Sequence, residues 1–202
     1  MKCPYAENCP LLKNRNIEAD PVYYSISFTT KARRTILFVA EAPGQVEAQI
    51  GTILVGKSGT LIRSILRETE FAMKLNAKLA FANAVACRPP NNDTPTEDEI
   101  QYCASNLLKN YISFIRPAAI VALGKVAFKS MFYIGGLNVE SNLKMTDLMN
   151  KDIKLVYNNK EYAEVPIYVT YHPAYVLRRN NVDEYREHII SIIGKIAAKE
   201  LK

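Results

Sequence analysis

The 202-residue chain is 49% hydrophobic and 23% charged, the balance of an ordinary soluble globular protein long enough to bury a real core. No apolar run approaches the roughly 20 residues that a membrane helix needs, and the opening MKCPYAENCP lacks the apolar stretch of a secretory signal, so an intracellular, cytoplasmic protein is expected. A formal charge of +6 and a pI of about 9.1 favour a polyanionic partner such as nucleic acid without requiring one.

No internal repeat, low-complexity tract or Gly/Ser linker divides residues 1–202, which read as one domain. Residues 1–34 are polar and turn-rich and end in the basic run Lys31-Ala32-Arg33-Arg34. Thr35–Ala40 reads as a buried strand, and a loop over Glu41–Gly59 follows, with Gly44, Gly51, Gly56 and Gly59. Leu61, Ile62, Ile65 and Leu66 have helical spacing, and Leu79–Ala84 is a second strand. After the Pro-rich loop Arg88–Pro95, a capping box predicts a helix with Thr94 as N-cap, Pro95 at N1 and Glu97 at N3. Its apolar face is Ile100, Leu107, Leu108, Tyr111, Ile112 and Ile115. Ala118–Leu123 is a third strand and Gly124–Phe132 a short helix. The polar stretch 135–164 carries no clear period, Ile167–Tyr171 is a fourth strand, and a last helix covers Val182–Lys199.

Strands alternating with helices predict an α/β fold: a single-domain three-layer α/β/α sandwich around a central, mainly parallel four-stranded sheet. Ligands of such sheets bind beyond the carboxyl ends of the strands. That rule selects Glu41-Ala42-Pro43-Gly44, the segment Asn83 through Pro90, and His172-Pro173.

Each singled-out residue has a bland reading beside the chemical one. His172, one of two histidines, is either satisfied in a turn or a fixed proton donor at a strand end; His188 lies in the last helix and reads as structural or solvated. Asn83 either caps a turn or offers a donor and an acceptor to a ligand edge. Glu41 is a solvated loop acid or a group that orients water. The cysteines Cys3, Cys9, Cys87 and Cys103 are a poor fit for disulfides without a secretory signal; they are a four-ligand metal site or unrelated buried thiols.

Four segments in order, Ala40-Glu41-Ala42-Pro43-Gly44, Gly51 through Gly59 (GTILVGKSG), Asn83 through Pro90 (NAVACRPP) and His172 through Arg178 (HPAYVLR), resemble the iron–sulfur (family 4) branch of the uracil-DNA glycosylase superfamily from about residue 3 to residue 178. The resemblance implies a DNA glycosylase that hydrolyses the N-glycosidic bond of a flipped uracil, or a related pyrimidine, in base excision repair. It implies Glu41 and His172 as catalytic groups, with His172 donating to the O2 of the base. It implies Ala42, Leu54 and Asn83 around the base, and Arg178, Lys57 and Arg88 against DNA, with Arg63 and Arg179 beside them. Cys3, Cys9, Cys87 and Cys103 would hold a structural [4Fe–4S] cluster, with zinc as the runner-up. The chain is expected to act as a monomer on single- or double-stranded DNA.

Three features depart from the family pattern. Leu54 stands where an aromatic side chain stacks on uracil, Ala42 stands where some relatives carry Asp, and Cys3 and Cys9 are spaced more widely than usual. They keep open a second reading, a catalytically weak or inactive DNA-binding accessory with the same fold. A third is an unrelated metal-binding α/β protein.

Overall fold

The computed structural model describes residues 3–18, 20–26, 34–70, 76–137, 144–159 and 161–200. In chain order its strands are β1 (Ser25–Ile26), β2 (Arg34–Ala40), β3 (Ala77–Asn83), β4 (Ala119–Leu123), β5 (Gly136–Leu137), β6 (Ile153–Asn159) and β7 (Glu161–Thr170). Its helices are α1 (Pro10–Arg15), α2 (Gln45–Ile50), α3 (Lys57–Glu68), α4 (Glu97–Cys103), α5 (Lys109–Ile115), α6 (Lys125–Phe132), α7 (Met145–Leu148), α8 (Pro173–Arg179) and α9 (Val182–Glu200). A π-turn over Ala104–Leu108 joins α4 to α5. None of the described helices is long and apolar enough to cross a membrane.

The strands form one sheet in the order β1-β3-β2-β4-β7-β6-β5. The four central strands β3, β2, β4 and β7 are parallel and correspond to the four strands expected from sequence. The sheet nevertheless has seven strands rather than four. Strand β1 adds antiparallel to β3, and β5 and β6 extend the other edge antiparallel to β7. Much of this extension comes from the stretch 135–164, whose polar composition hides its strands: an antiparallel edge has one face or rim in water and loses the unbroken apolar run of a central strand. Residues 31–33 of the basic run lie outside the described residues, and Arg34 opens β2 exposed.

Both faces of the central strands are covered, and alternate residues serve the two cores. Ile36, Phe38 and Ala40 of β2 join Phe81, Val121 and Leu123 under Ile62 and Ile65 of α3 and Tyr185, Ile189, Ile192 and Ile196 of α9. Leu37 and Val39 join Ala80, Ile120 and Val169 under Leu108, Ile112 of α5, and Phe128 and Met131 of α6. This is the three-layer sandwich. A third, smaller apolar cluster of Leu11, Val85, Cys87, Ile100 and Val126 sits beyond the strand ends and fastens α1 to the body.

The capping box of α4 lies two residues later than the sequence suggests. Thr96, not Thr94, is the N-cap: its hydroxyl accepts from the Glu99 amide at 3.4 Å, and the Glu99 carboxylate accepts from the Thr96 amide at 2.8 Å. Pro95 keeps Thr94 extended, and the Thr94 carbonyl is taken by the Arg15 guanidinium at 3.3 Å. Glu97 turns outward to Lys129 and Tyr133. Thr96→Ala should therefore cost about 1 kcal/mol in denaturant unfolding, while Thr94→Ala stays within about 0.5 kcal/mol of the parent; equal losses would return the cap to Thr94.

Candidate active site

Parallel register brings the site together. Ala40, the last residue of β2, pairs with Asn83, the last residue of β3. Two backbone bonds continue the pairing past the strands, from the Ala84 amide to the Ala40 carbonyl at 2.8 Å and from the Val85 amide to the Glu41 carbonyl at 3.0 Å. The chain runs from β2 to β3 on one side and reaches β4 on the other, so this edge is also the switch point where such sheets bind ligands. A cleft of about 420 Å³ opens there. Glu41, Ala42, Leu54, Asn83 and His172 line it, with Lys57 and Arg178 at its rim. Arg88 does not line it; its guanidinium donates to Asn92 at 2.7 Å.

His172 is the N-cap of α8, and its Nδ1 accepts the Ala174 amide at 3.2 Å. An accepting Nδ1 places the proton of the neutral ring on Nε2. Burial, helped by the Arg178 charge, lowers the His172 pKa to about 4, so the ring is neutral at physiological pH. Glu41 moves the other way: burial raises its pKa above the ordinary carboxylate range, and Arg178 draws it partly back. Asn83 is 8% exposed, and its buried Nδ2 has no hydrogen-bond partner among the described residues. An unmade bond of that kind costs about 1–3 kcal/mol, which a ligand acceptor would recover.

Leu54 is 5% exposed and lies at a positive φ of 55°, an unusual conformation for a leucine. Its carbonyl accepts Arg63 Nε at 2.9 Å, and the Ile53 carbonyl accepts Arg63 Nη2 at 3.0 Å. The Arg63 guanidinium also lies 4.4 Å over the Phe81 ring. Arg63 is thus an internal clamp of the loop, with two of its five donors on backbone carbonyls. Arg179 sits 5.6 Å over the Tyr175 ring on the far side of α8, and His188 is within 3.5 Å of the Val169 carbonyl.

Three elements of the site escape sequence reading. The Glu47 carboxylate is buried and accepts the Val55 and Gly56 amides at 3.0 and 2.7 Å, closing the loop that carries Leu54. Gly124, at a φ of 95°, lets His172 approach: a Cβ there would lie 2.9 Å from the His172 Cβ. A glycine directly after a buried strand was the available signal. Asn92, Asp93 and Thr94 also line the cleft and form a wall of it.

The four cysteines converge elsewhere. Cys3, Cys9, Cys87 and Cys103 all line one small, almost wholly apolar cavity beyond β3. Burial pushes the Cys87 and Cys103 thiols up to about 12, and Cys3 and Cys9 add to both shifts, as neighbouring thiols do. Among the described residues no three His, Cys, Asp or Glu side chains gather tightly enough to hold a single metal ion. Four cysteine thiols on one apolar cavity are the donor set of a tetrathiolate metal or cluster site.

Residues 27–194 match the family model described as the uracil DNA glycosylase superfamily. The chain is 37% identical over 163 residues to a protein named type-4 uracil-DNA glycosylase from Sulfurisphaera tokodaii, covering 80% of this chain and 70% of that one. It is 35% identical over 160 residues to the type-4 uracil-DNA glycosylase of Thermotoga maritima, covering 79% and 74%. A Pyrobaculum aerophilum protein of the same name is 30% identical over 177 residues, covering 86% and 80%.

The His172 environment has a measurable consequence. From pH 6.5 down to about 4 the unfolded chain carries a proton on this histidine that the folded chain does not. Stability therefore falls as pH drops through that window and stops changing on this account below it. Between pH 7 and 4 the parent should lose up to about 3 kcal/mol more than His172→Gln in urea unfolding; parallel losses would mean that the ring titrates normally.

Proposed function

The chain belongs to the uracil-DNA glycosylase superfamily, with the type-4 enzymes, and on that premise we propose that it excises uracil turned out of DNA by hydrolysing the N-glycosidic bond. The observation that carries this reading is the neutral His172 with its proton on Nε2 beside the unpartnered Asn83 amide. As the bond from the sugar to the base N1 breaks, the electron pair leaves with the base and negative charge spreads to its oxygens. A donor on O2 stabilises that charge where it develops. Asn83 matches the N3–H and O4 of uracil and opposes the amino group of cytosine. The Glu41 carboxylate faces the opposite charge, the cationic sugar, and orients the water that adds to it. Ala42 leaves room beside the ring, and Leu54 covers its face by dispersion contact. Lys57 and Arg178 at the rim are suited to the flanking phosphates, and Arg88 extends the same basic edge. Leu177, 40% exposed on α8 next to the cleft-lining Arg178, is suited to contact with the duplex.

Cys3, Cys9, Cys87 and Cys103 are the residues that would hold a [4Fe–4S] cluster. The four-thiolate donor set gathered on one cavity supports it. When bound, the cluster supplies a cross-link between the N-terminal segment and the 87–103 region; hydrolysis needs no electron from it. Anaerobically purified protein should contain about four irons and matching sulfide per chain. Stoichiometric zinc without iron would replace this assignment.

The catalytic test is single-turnover cleavage of matched oligonucleotides with and without uracil, single- and double-stranded. The parent should release uracil, and His172→Ala should be slower by about 100–1000-fold. Leu54→Phe should speed uracil removal by up to about tenfold for each 1.4 kcal/mol of stacking recovered in the transition state, and disfavour bulky 5-substituted pyrimidines. A parent that binds uracil-containing DNA and cleaves none of it would make the accessory reading the better one.

A further inference from the structure

Arg15 ends α1, the helix that begins directly after Cys9. Its side chain is 17% exposed and reaches three groups 78 to 84 residues further along the chain. Nε and Nη2 grip the two oxygens of Glu99 at 2.7 and 3.0 Å. Nη1 donates to Asp93 at 3.2 Å and Nη2 to the Thr94 carbonyl at 3.3 Å. The Glu99 side chain is 1% exposed and Arg15 is half-buried beside it, so this is a forked pair whose acidic end is buried.

The geometry of the two ends gives the pair its meaning. Glu99 sits one helical turn before Cys103 on α4 and lines the cysteine cavity. Asp93 and Thr94 line the uracil cleft together with Glu41 and His172. Asn91 and Asn92 just before them are both left-handed, at φ 55° and 57°, within a single 3-10 turn over Pro90–Asn92, so no long element holds the wall. Its local support is two backbone bonds, from the Asn92 amide to Pro89 and from the Asp93 amide to Pro90, and the Arg88 donation to the Asn92 side chain at 2.7 Å. Among the described residues, Arg15 is the cation that ties this wall to α1 and α4 together.

We propose that Arg15 is a positioning residue of the cleft: through Asp93, Thr94 and Glu99 it makes the placement of the 92–94 wall depend on the docking of the N-terminal cysteine-bearing segment. The proposal rests on the reading of the cleft as the base-binding site. It implies that the N-terminal segment shapes substrate binding without touching substrate. A planar fork is required, because a lysine has one donor head and cannot span a carboxylate, a second carboxylate and a carbonyl at once.

The test compares Arg15→Met, Arg15→Lys and Asp93→Asn with the parent, all as the purified full chain with the metal content measured. Amide hydrogen exchange of residues 88–96 is followed without DNA, and KM and kcat are followed on uracil-containing duplex. Arg15→Met should speed exchange of the 92–96 amides and raise KM by about tenfold or more, as losing the partner of a buried carboxylate does. The kcat should stay within about threefold, because Glu41, Asn83 and His172 are untouched. Arg15→Lys should fall between parent and Arg15→Met. Asp93→Asn keeps the Glu99 pair and should speed exchange of the same amides; because Asp93 itself lines the cleft, this variant is judged by exchange and not by KM. Exchange unchanged in both Arg15→Lys and Asp93→Asn, or a fall in kcat at constant KM, would overturn the proposal. If the parent itself cleaves no uracil, the functional reading fails while the exchange experiment still decides the role of Arg15.

Discussion

The hydrogen bonding between β2 and β3 does not stop where the strands do. The Ala84 and Val85 amides continue it onto the carbonyls of Ala40 and Glu41, so two chains leave the sheet side by side and at the same level. Everything in the cleft depends on this. Glu41 and Asn83 are brought together from positions 42 residues apart because Ala40 and Asn83 are register partners. His172 is added from β7, whose end is aligned with β4 through the Gly124 amide and the Thr170 carbonyl. A slip of one residue in any of these pairings would turn the next side chain to the opposite face. The large apolar cores on both faces, with residues such as Ile36, Leu37, Ile120 and Val121 fully buried, are what prevent the slip.

The same edge separates the electrical behaviour of the two titratable groups. Both are desolvated, and desolvation disfavours whichever form is charged. It leaves His172 uncharged and pushes Glu41 toward a higher pKa. Arg178 lies near both and acts on them in opposite functional senses: it further discourages a second positive charge on His172, and it supports the negative charge on Glu41. One exposed cation at the rim thus favours a neutral donor and an ionised carboxylate together, the pair that a departing anion and a cationic sugar require.

The central sheet was readable because its strands are buried on both faces and so are continuous apolar runs, as in Thr35–Ala40 and Ala118–Leu123. The edge strands were not, since β5 and β6 share their apolar residues with water-facing ones. The cleft was readable where a polar residue interrupts an apolar run at a strand end, which describes Glu41, Asn83 and His172. It was unreadable where the residue acts by what it permits or by what it holds at a distance. Gly124 matters through an absent side chain, Glu47 through two amides on a loop eight and nine residues away, and Arg15 through partners 78 and 84 residues away. The shift of the cap from Thr94 to Thr96 has the same origin. Two overlapping cap patterns compete locally, and a distant guanidinium on the Thr94 carbonyl goes with the later one.

Leu54 shows how far loop shape and side-chain identity can be uncoupled. The loop is held by its backbone: Glu47 takes the Val55 and Gly56 amides, and Arg63 takes the Ile53 and Leu54 carbonyls. The close approach to α3 is also a backbone contact, for a Cβ on Gly59 would lie 2.0 Å from the Leu54 carbonyl carbon. None of these restraints involves the Leu54 side chain. The left-handed backbone at this position disfavours β-branched residues most and discriminates little between leucine and an aromatic side chain. The Leu54 side chain is nevertheless buried in the same apolar cluster as Ile53, Ile62 and Ile65. A larger ring at this position must therefore fit that packing as well as the cleft, while the backbone clamps of the loop do not depend on it.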